Sequence, residues 1–305
     1  MEAIEKLAEN QQKTGETQVI DIVLESGAAN GFYQLGILFY LAALERKKII
    51  KINRISGSSI GAIVGFYYFT NELESLIKDY TKLKQHFKKK LNLSILRSIL
   101  KEKIDKLNSD DIKLLNDKLF VVYHNLSKYT QTLQSTYKDK NDLLNCLLKS
   151  AHIPYITNGD GYYMDNNEKF IDGGVPHIFL NRQYGEKTKI LYVNITHFNV
   201  LSGFLSVKNE QNMYERLLKS ALDVHKFFVY KKPSQFCSYI NDWTIFDYFI
   251  LRFKQLFVIL CCIFFYLFYE IYKYIKPYLG DLYLINFFSP FVGNIFYDIL
   301  LFYCV

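Results

Sequence analysis

The sequence predicts an α/β fold with a mainly parallel sheet, followed by an apolar C-terminal region. A strand-type stretch, Val19–Leu24, leads through a loop of small residues into an apolar helix. A second apolar stretch, Ile49–Ile55, leads through a serine-containing turn into another apolar helix. This alternation of strand, loop and helix is typical of parallel sheets. Aromatic residues make up 17% of the chain and are concentrated after residue 226, so the end of the chain differs from the part before it.

The remaining elements follow from the spacing of apolar residues. Residues 1–17 are predicted to be a polar leader or a short helix, and the first long helix is predicted over Tyr33–Arg46. Residues 71–118 are charged and helical in character, which indicates an insertion or a cap. The later predicted elements are a strand over Leu119–His124, a helix over Asn141–His152 that Pro154 stops, a hairpin over Gly159–Asp172, a core strand over Lys189–Ile195 and a helix over Glu210–Tyr230.

These elements divide the chain into three regions. We expect a polar leader over residues 1–17, one folded domain over 18–235 that contains the insertion at 71–118, and an apolar, membrane-associating region over 236–305.

The chain carries a formal net charge of +7, and its lysines form runs at 78–90 and 101–106. Such runs are typical of solvated helix faces. Alternatively, they attract the chain to anionic phospholipid. We expect no nucleic-acid partner, because no recognised nucleic-acid-binding module accompanies the charge.

The five cysteines indicate a reducing compartment. Their number is odd, none has the spacing of metal ligands, and three of them lie in the apolar C-terminal region. We therefore expect neither a disulfide framework nor a metal site. The first 17 residues are acidic and polar, which argues against a secretory signal. These observations predict that the folded domain lies on the cytoplasmic side of a membrane.

Two stretches predict contact with a membrane, at about residues 255–275 and 282–303. Gln255–Tyr269 contains no charge over 15 residues, and Leu282–Tyr297 is also free of charge but is interrupted by Pro290 and Gly293. A 15-residue helix rises about 22 Å, less than the hydrocarbon core of about 30 Å. Three arrangements fit this pattern: an inserted hairpin or single span, a monotopic or re-entrant anchor, and buried soluble core.

The second loop contains a candidate nucleophile. Gly57-Ser58-Ser59-Ile60-Gly61 stands between a strand and a helix, which is the sequence form of a nucleophile elbow. The two glycines allow the chain to turn sharply and to expose the central serine hydroxyl. Ser59 is therefore the candidate nucleophile, and the alternative interpretation is an ordinary helix N-cap.

The first loop offers backbone donors for an oxyanion. The six residues from Ser26 to Gly31 are small and open a helix, whose N-terminus adds positive potential. The alternatives are a phosphate- or nucleotide-binding loop and a simple tight turn. Dinucleotide binding is disfavoured, because Ser26 and Ala28 replace two glycines of the Gly-x-Gly-x-x-Gly pattern. The N–H groups considered as donors belong to Gly27, Ala28, Ala29 and Asn30.

Asp172 is the candidate general base. It begins Asp172-Gly173-Gly174 at the end of the predicted hairpin, and the two glycines leave its carboxylate able to approach another loop closely. An Asp-Gly-Gly string is also a common turn. No histidine lies in a recognisable catalytic setting; the six are His86, His124, His152, His177, His197 and His225.

Together these motifs resemble those of the patatin-like phospholipase family. The small-residue loop, Gly-Ser-Ser-Ile-Gly, Ser150–Pro154 and Phe170–Val175 occur in the family's order. Asn30–Leu38 is similar to the sequence just after the family's oxyanion loop. The resemblance spans roughly residues 19–235.

The resemblance implies a three-layer α/β/α fold and a lipid acyl hydrolase of the phospholipase A or lysophospholipase type. By this resemblance Ser59 is the nucleophile and Asp172 the general base of a Ser-Asp dyad, acting on a membrane lipid without cofactor or metal. It further implies that Gly27, Ala28 and nearby N–H groups form the oxyanion hole. The glycines that support the motifs are Gly31, Gly57, Gly61, Gly173 and Gly174.

This chain departs from the family pattern in the first loop. The family usually has three glycines followed by an arginine, whereas this chain has Ser26, Gly27 and Ala28, with Asn30 in the arginine's place. One alternative is therefore a catalytically silent protein that keeps the fold as a lipid-binding or scaffolding module. The other is an α/β-hydrolase esterase with a Ser-His-Asp triad, whose histidine would be His177, His197 or His225.

Overall fold

The computed structural model of the protein describes residues 2–9, 11, 15–27, 30–90, 92–179, 188–195 and 213–253, and the single positions 256, 260, 267, 271 and 274. Within this part the chain forms a mixed, eight-stranded sheet with helices against both faces. The helices are α1 (Glu2–Glu9), α2 (Gly31–Arg46), α3 (Ile60–Phe69), α4 (Leu73–Lys90), α5 (Leu96–Asp105), α6 (Ser109–Leu115), α7 (Lys140–Ser150), α8 (Met213–Tyr230) and α9 (245–253).

Parallel strands form the centre of the sheet. The strands are β1 (Gln18–Leu24), β2 (Ile50–Ser58), β3 (Leu119–Asn125), β4 (Thr130–Gln134), β5 (Tyr163–Asp165), β6 (Glu168–Asp172), β7 (Lys189–Val193) and β8 (Cys237–Tyr239). The central order is β3-β2-β1-β7, with parallel pairing throughout. The other four strands pair antiparallel: β8 with β7, β4 and β6 with β3, and β5 with β6. The predicted α/β fold with a mainly parallel central sheet is confirmed.

The central strands are apolar on both faces, which is typical of parallel sheets covered on both sides. In β1, Ile20, Ile22 and Leu24 belong to a larger core that they share with α1–α8. Val23 points the other way, into a smaller core that contains Phe179 and Leu251. Because Leu251 belongs to α9, this helix covers the second face of the sheet.

A buried ion pair crosses the face of the smaller core. The Arg54 guanidinium lies 2.6 Å from the Asp21 carboxylate, between neighbouring strands. The same guanidinium lies 4.0 Å from the centre of the Phe179 ring. The segment that follows β6 is thereby packed against the sheet.

The sequence predicted a polar leader or a short helix over residues 1–17, and the structure has the helix α1 there, with Ile4 and Ala8 buried in the larger core. Two other features were not predicted. The sheet continues beyond the predicted domain boundary at residue 235, since β8 pairs with β7. The strand β4 had no apolar signal, because its residues are polar and largely exposed.

Among the described residues, no helix has both the length and the apolar character needed to cross a bilayer. The predicted membrane stretches, 255–275 and 282–303, lie outside the described residues apart from the single positions between 256 and 274. The start of the predicted helix at Glu210 also lies outside them, and α8 is described from Met213.

Candidate active site

Ser59 occupies a sharp turn between β2 and α3. The strand ends at Ser58 and the helix begins at Ile60, so Ser59 is the whole connection. Its φ of 55° and ψ of −125° belong to a backbone region that residues with side chains rarely adopt. Its side chain makes no capping bond to the helix, so Ser59 is not an ordinary N-cap.

The glycines on either side of Ser59 allow this turn to form. A Cβ on Gly57 would lie 2.4 Å from the carbonyl carbon of Gly61, and a Cβ on Gly61 would lie 2.7 Å from the carbonyl oxygen of Leu24. Both distances are far below van der Waals contact. The start of α3 can therefore lie against the ends of β1 and β2 only without side chains at these two positions.

The sheet brings Asp172 to the same place as Ser59. Along β3, one side is occupied by β4, which pairs with both Val122 and Tyr123. On the other side Ser58 of β2 pairs with Val122, and Asp172 of β6 pairs with the next residue, Tyr123. The C-terminal ends of β2 and β6 thus meet head-on beside β3.

Two hydrogen bonds hold Asp172. Its N–H donates to the His152 carbonyl at 2.9 Å, and its Oδ1 accepts the N–H of Gly174 at 2.7 Å. The Ser59 hydroxyl is near enough to the carboxyl to lower its pKa. The predicted nucleophile and the predicted base are therefore neighbours.

Burial raises the pKa of Asp172 to about 6. The hydrogen bond from the Gly174 N–H and the nearby hydroxyls of Ser59 and Ser58 act in the opposite direction. The buried Ser58 hydroxyl has no hydrogen bond of normal geometry, so its influence is the weaker, longer-range one. Asp172 is thus a better base than an ordinary aspartate and is still ionised near neutral pH.

The surroundings of Gly173 and the backbone of Gly174 explain why two glycines follow Asp172. A Cβ at this position would lie 2.2 Å from the carbonyl oxygen of Val122 and 2.7 Å from the Ser58 Oγ. The next residue, Gly174, has a positive φ of 62°. The chain leaving β6 therefore presses directly against β2 and β3, which only glycine permits.

Ser150 is a site residue whose role the sequence did not reveal. The N–H of Ser59 donates to the Ser150 Oγ at 2.9 Å, and this hydroxyl donates to the Val122 carbonyl at 2.6 Å. Ser150 thereby ties the nucleophile turn to β3. The sequence feature that could have pointed to Ser150 was its place in the Ser150–Pro154 motif.

The predicted oxyanion loop follows β1 and leads into α2, with Gly31 at the start of the helix. Gly27 and Asn30 are described, whereas Ala28 and Ala29 lie outside the described residues. The Asn30 N–H donates to the Gly27 carbonyl at 2.8 Å and so closes the turn. This corrects one prediction, because that N–H is already engaged and does not face an oxyanion.

Glu25 anchors the start of this loop, and no sequence pattern identified it. It is buried, and its carboxylate accepts hydrogen bonds from the Tyr192 hydroxyl at 2.7 Å and the Ile195 N–H at 3.1 Å. Its carbonyl accepts a hydrogen bond from the Gln34 side chain. The loop is therefore attached to β7 and to α2.

The histidines proposed for a triad lie in other surroundings. The His177 ring packs against Phe120 and Phe179. The Nδ1 of His225 lies 2.9 Å from the Tyr40 hydroxyl, between α2 and α8. His197 lies outside the described residues.

Two other histidines border the site without reaching the carboxylate. The His152 ring is buried with Nε2 3.2 Å from the Asp160 carbonyl, and the His124 ring contacts the Gly173 backbone. Burial lowers the pKa of both rings. Within the described part of the chain, no histidine ring contacts the Asp172 carboxylate. In the same part, no group of three or more His, Cys, Asp or Glu side chains is arranged to hold a metal.

The chain is similar to known proteins at two levels. A family model described as patatin-like phospholipase matches residues 22–177, just over half of the chain. Eight chains of solved structures also match. One is VipD from Legionella pneumophila, at 14% sequence identity and a TM-score of 0.39, over 65% of this chain and 58% of VipD.

This chain therefore spans less than two thirds of the VipD chain. No curated protein matches it. The matched range includes both Ser59 and Asp172, together with the strands and turns that bring them into contact. The chain belongs to the patatin-like phospholipase family.

Proposed function

We propose that this protein is a lipid acyl hydrolase of the phospholipase A or lysophospholipase type that uses Ser59 and Asp172 as a catalytic dyad. The observation that carries the proposal is the strand pairing that places the end of β6, with Asp172, beside the end of β2, where the Ser59 hydroxyl is near enough to lower the pKa of the Asp172 carboxyl. The membership of the chain in the patatin-like phospholipase family supports the class of substrate.

The proposed reaction has two steps. In the first, the Ser59 oxygen attacks the acyl carbonyl, its proton passes to Asp172, and the alcohol leaves with that proton. In the second, Asp172 takes a proton from water, which attacks the acyl-enzyme; the bond to the Ser59 oxygen breaks, Asp172 returns the proton to that oxygen, and the fatty acid is released. Backbone N–H groups of the loop after Glu25 are the proposed oxyanion donors.

We place the substrate at a membrane surface, next to α9. One face of this helix exposes large apolar side chains: Ile245 is 89% exposed, Phe246 69%, Phe249 65% and Phe253 64%. A patch of this kind is typical of an interaction site, and an apolar helix face can lie in the lipid interface. The buried Leu251 holds α9 on the domain, so the contact would keep the active site near the bilayer.

Substitution of the dyad tests the activity. We expect Ser59→Ala and Asp172→Asn to lower kcat at least about 1,000-fold, because both groups take part in bond making. Fatty acids released from a mixed-lipid dispersion by the detergent-solubilised protein are measured by mass spectrometry. Ser94→Ala, at an exposed serine outside the site, is the control.

Covalent labelling tests the nucleophile independently of the substrate. A fluorophosphonate probe should label the wild type and Ser94→Ala but not Ser59→Ala. Hydrolysis that persists unchanged in both dyad variants would not come from this site, and it would instead favour the catalytically silent alternative. Loss of activity in a folded His177→Ala, His197→Ala or His225→Ala variant would favour the triad.

A further inference from the structure

The oxyanion loop and the turn that carries Asp172 are joined by a side-chain hydrogen bond. The Ser26 hydroxyl donates to the carbonyl oxygen of Gly174. Gly174 in turn donates its N–H to the Oδ1 of Asp172 at 2.7 Å, and the Ser59 hydroxyl is near enough to this carboxyl to lower its pKa. Two hydrogen bonds, one on the carbonyl and one on the N–H of Gly174, therefore connect the start of the loop to the carboxyl of the proposed base.

The contacts of the neighbouring residue, Glu25, join the loop to β7 and α2 and not to Asp172. The Glu25 carboxylate reaches Tyr192 in β7 and Ile195 after it, and the Glu25 carbonyl reaches Gln34 in α2. These bonds attach the loop to the scaffold on one side. The Ser26 hydroxyl crosses to the opposite side of the site, where Asp172 lies.

The hydrogen bond from Ser26 supports a turn, after β6, that is made of flexible residues. Gly173 and Gly174 are adjacent glycines, and Gly174 has a φ of 62°. Because glycine adopts many backbone conformations at similar energy, the conformation of Gly174 is set by its contacts more than by its own preference. Its carbonyl belongs to the peptide shared with Val175 and its N–H to the peptide shared with Gly173. The bond from Ser26 on the carbonyl side therefore helps to fix the backbone angles of Gly174 and, through them, the direction of its N–H.

We propose that Ser26 is a positioning residue that holds the oxyanion loop at a fixed position relative to the turn bearing the catalytic base. This role rests on the proposed function of Ser59 and Asp172. Ser26 stands where the family pattern has a glycine, which has no side chain to form this bond. The departure from the pattern would thus support catalysis. Misplacement of a catalytic group by about 1 Å can cost about 100-fold in rate, so a contact that fixes two parts of a site matters.

Three serine variants test this role. Ser26→Ala removes the hydroxyl and is expected to lower kcat about tenfold with little change in KM, because the scaffold contacts remain. Ser26→Thr keeps a hydroxyl and is expected to retain most of the activity. Ser75→Ala is the matched control, since Ser75 is a half-buried serine that donates to a backbone carbonyl in a different part of the chain.

The pH profile separates positioning from general stability. If Ser26 fixes the conformation of Gly174, Ser26→Ala weakens the hydrogen bond from the Gly174 N–H to Asp172. That hydrogen bond lowers the pKa of the carboxyl, so weakening it raises the pKa. The acid limb of the kcat profile should then move to higher pH in Ser26→Ala and stay in place in Ser26→Thr and Ser75→Ala.

The outcomes distinguish this role from the proposed function itself. A wild type that neither hydrolyses lipid nor reacts with the fluorophosphonate contradicts the proposed function. An active wild type with unchanged kcat in Ser26→Ala, or with reduced kcat but an unmoved acid limb, overturns the role of Ser26 alone. Equal losses in Ser26→Ala and Ser26→Thr also count against it.

Discussion

At the scale of single residues, the site combines a strained, buried serine with a partly buried carboxylate. Ser59 has a positive φ and is 5% exposed, so the hydroxyl that the sequence predicted to be exposed is buried in the structure. Burial also raises the pKa of the Asp172 carboxyl. Backbone strain and the burial of a carboxylate both cost stability in isolation. They are typical of sites where chemistry sets the requirement, because an aspartate needs greater basicity to remove a proton from serine.

The pKa of Asp172 leads to a prediction about pH. The base works only when it is ionised, so kcat/KM for a soluble acyl ester should fall as the pH drops through about 6. Ser58→Ala removes a group that lowers this pKa, and its acid limb should therefore move to higher pH.

Ser56→Ala is the matched control for this measurement. Ser56 is a buried serine on the same strand, and its hydroxyl has no contact with Asp172. An acid limb that stays in place in Ser58→Ala, or that moves equally in both variants, would contradict the assignment of Asp172 as the base.

At the scale of elements, close backbone contacts decide how the helices sit on the sheet. The helix α2 is buried over most of its length and packs along α8. A Cβ on Gly36 in α2 would lie 2.1 Å from the Leu217 carbonyl oxygen and 2.2 Å from the Ser220 hydroxyl. The two helices can therefore approach this closely only at a glycine.

Gly36→Ala should destabilise the protein by about 1–3 kcal/mol, the usual cost of overpacking. Gly65→Ala in α3 is the control, because its Cβ would meet only side-chain atoms of Leu119 and Ile55, at 3.0 and 3.1 Å. Alanine also favours helix over glycine by up to about 1 kcal/mol, so this variant should be close to neutral. Chemical denaturation measures both, and equal losses would contradict the packing argument.

At the scale of the whole molecule, α9 lies between the sheet and the apolar end of the chain. Thr244 and Asp247 form a reciprocal cap that sets the start of this helix: the Thr244 N–H donates to the Asp247 carboxylate at 2.7 Å. Leu251 faces the sheet, while the opposite face presents aromatic side chains to solvent. The isolated positions Leu256, Leu260 and Leu267 are also helical and exposed.

We predict that α9 contacts lipid, and the single tryptophan allows a local test. In a Trp243→Phe background, Phe249→Trp places the only fluorophore on the exposed face of α9. Vesicles of brominated phospholipid should quench its emission, because bromine quenches tryptophan at short range. Ser59→Ala should leave this quenching unchanged, which separates lipid contact from catalysis.

The control places tryptophan at an exposed aromatic position elsewhere. Tyr129 is 93% exposed in the turn between β3 and β4, and Tyr129→Trp in the same background should not be quenched. Vesicle-bound protein with no quenching at position 249, or with equal quenching at both positions, would contradict a lipid contact through α9.

Short-range patterns in the sequence were enough to predict the order of the elements, the turn at Ser59 and the candidate base at Asp172. Apolar periodicity and glycine placement depend on neighbours along the chain, so the sequence carries them directly. The polar strand β4 and the edge strand β8 left no such signal, since their existence depends on partners that are distant in the sequence.

Only the tertiary structure decided which of these residues meet. The pairing of β6 with β3, one residue beyond the end of β2, brings Asp172 to Ser59. The hydrogen bonds made by Ser26 and Ser150 join elements brought together at this point, and those of Glu25 depend on the pairing of β1 with β7. The sequence by itself determined the candidate reacting groups, and the strand register, a long-range property, determined how they are held together.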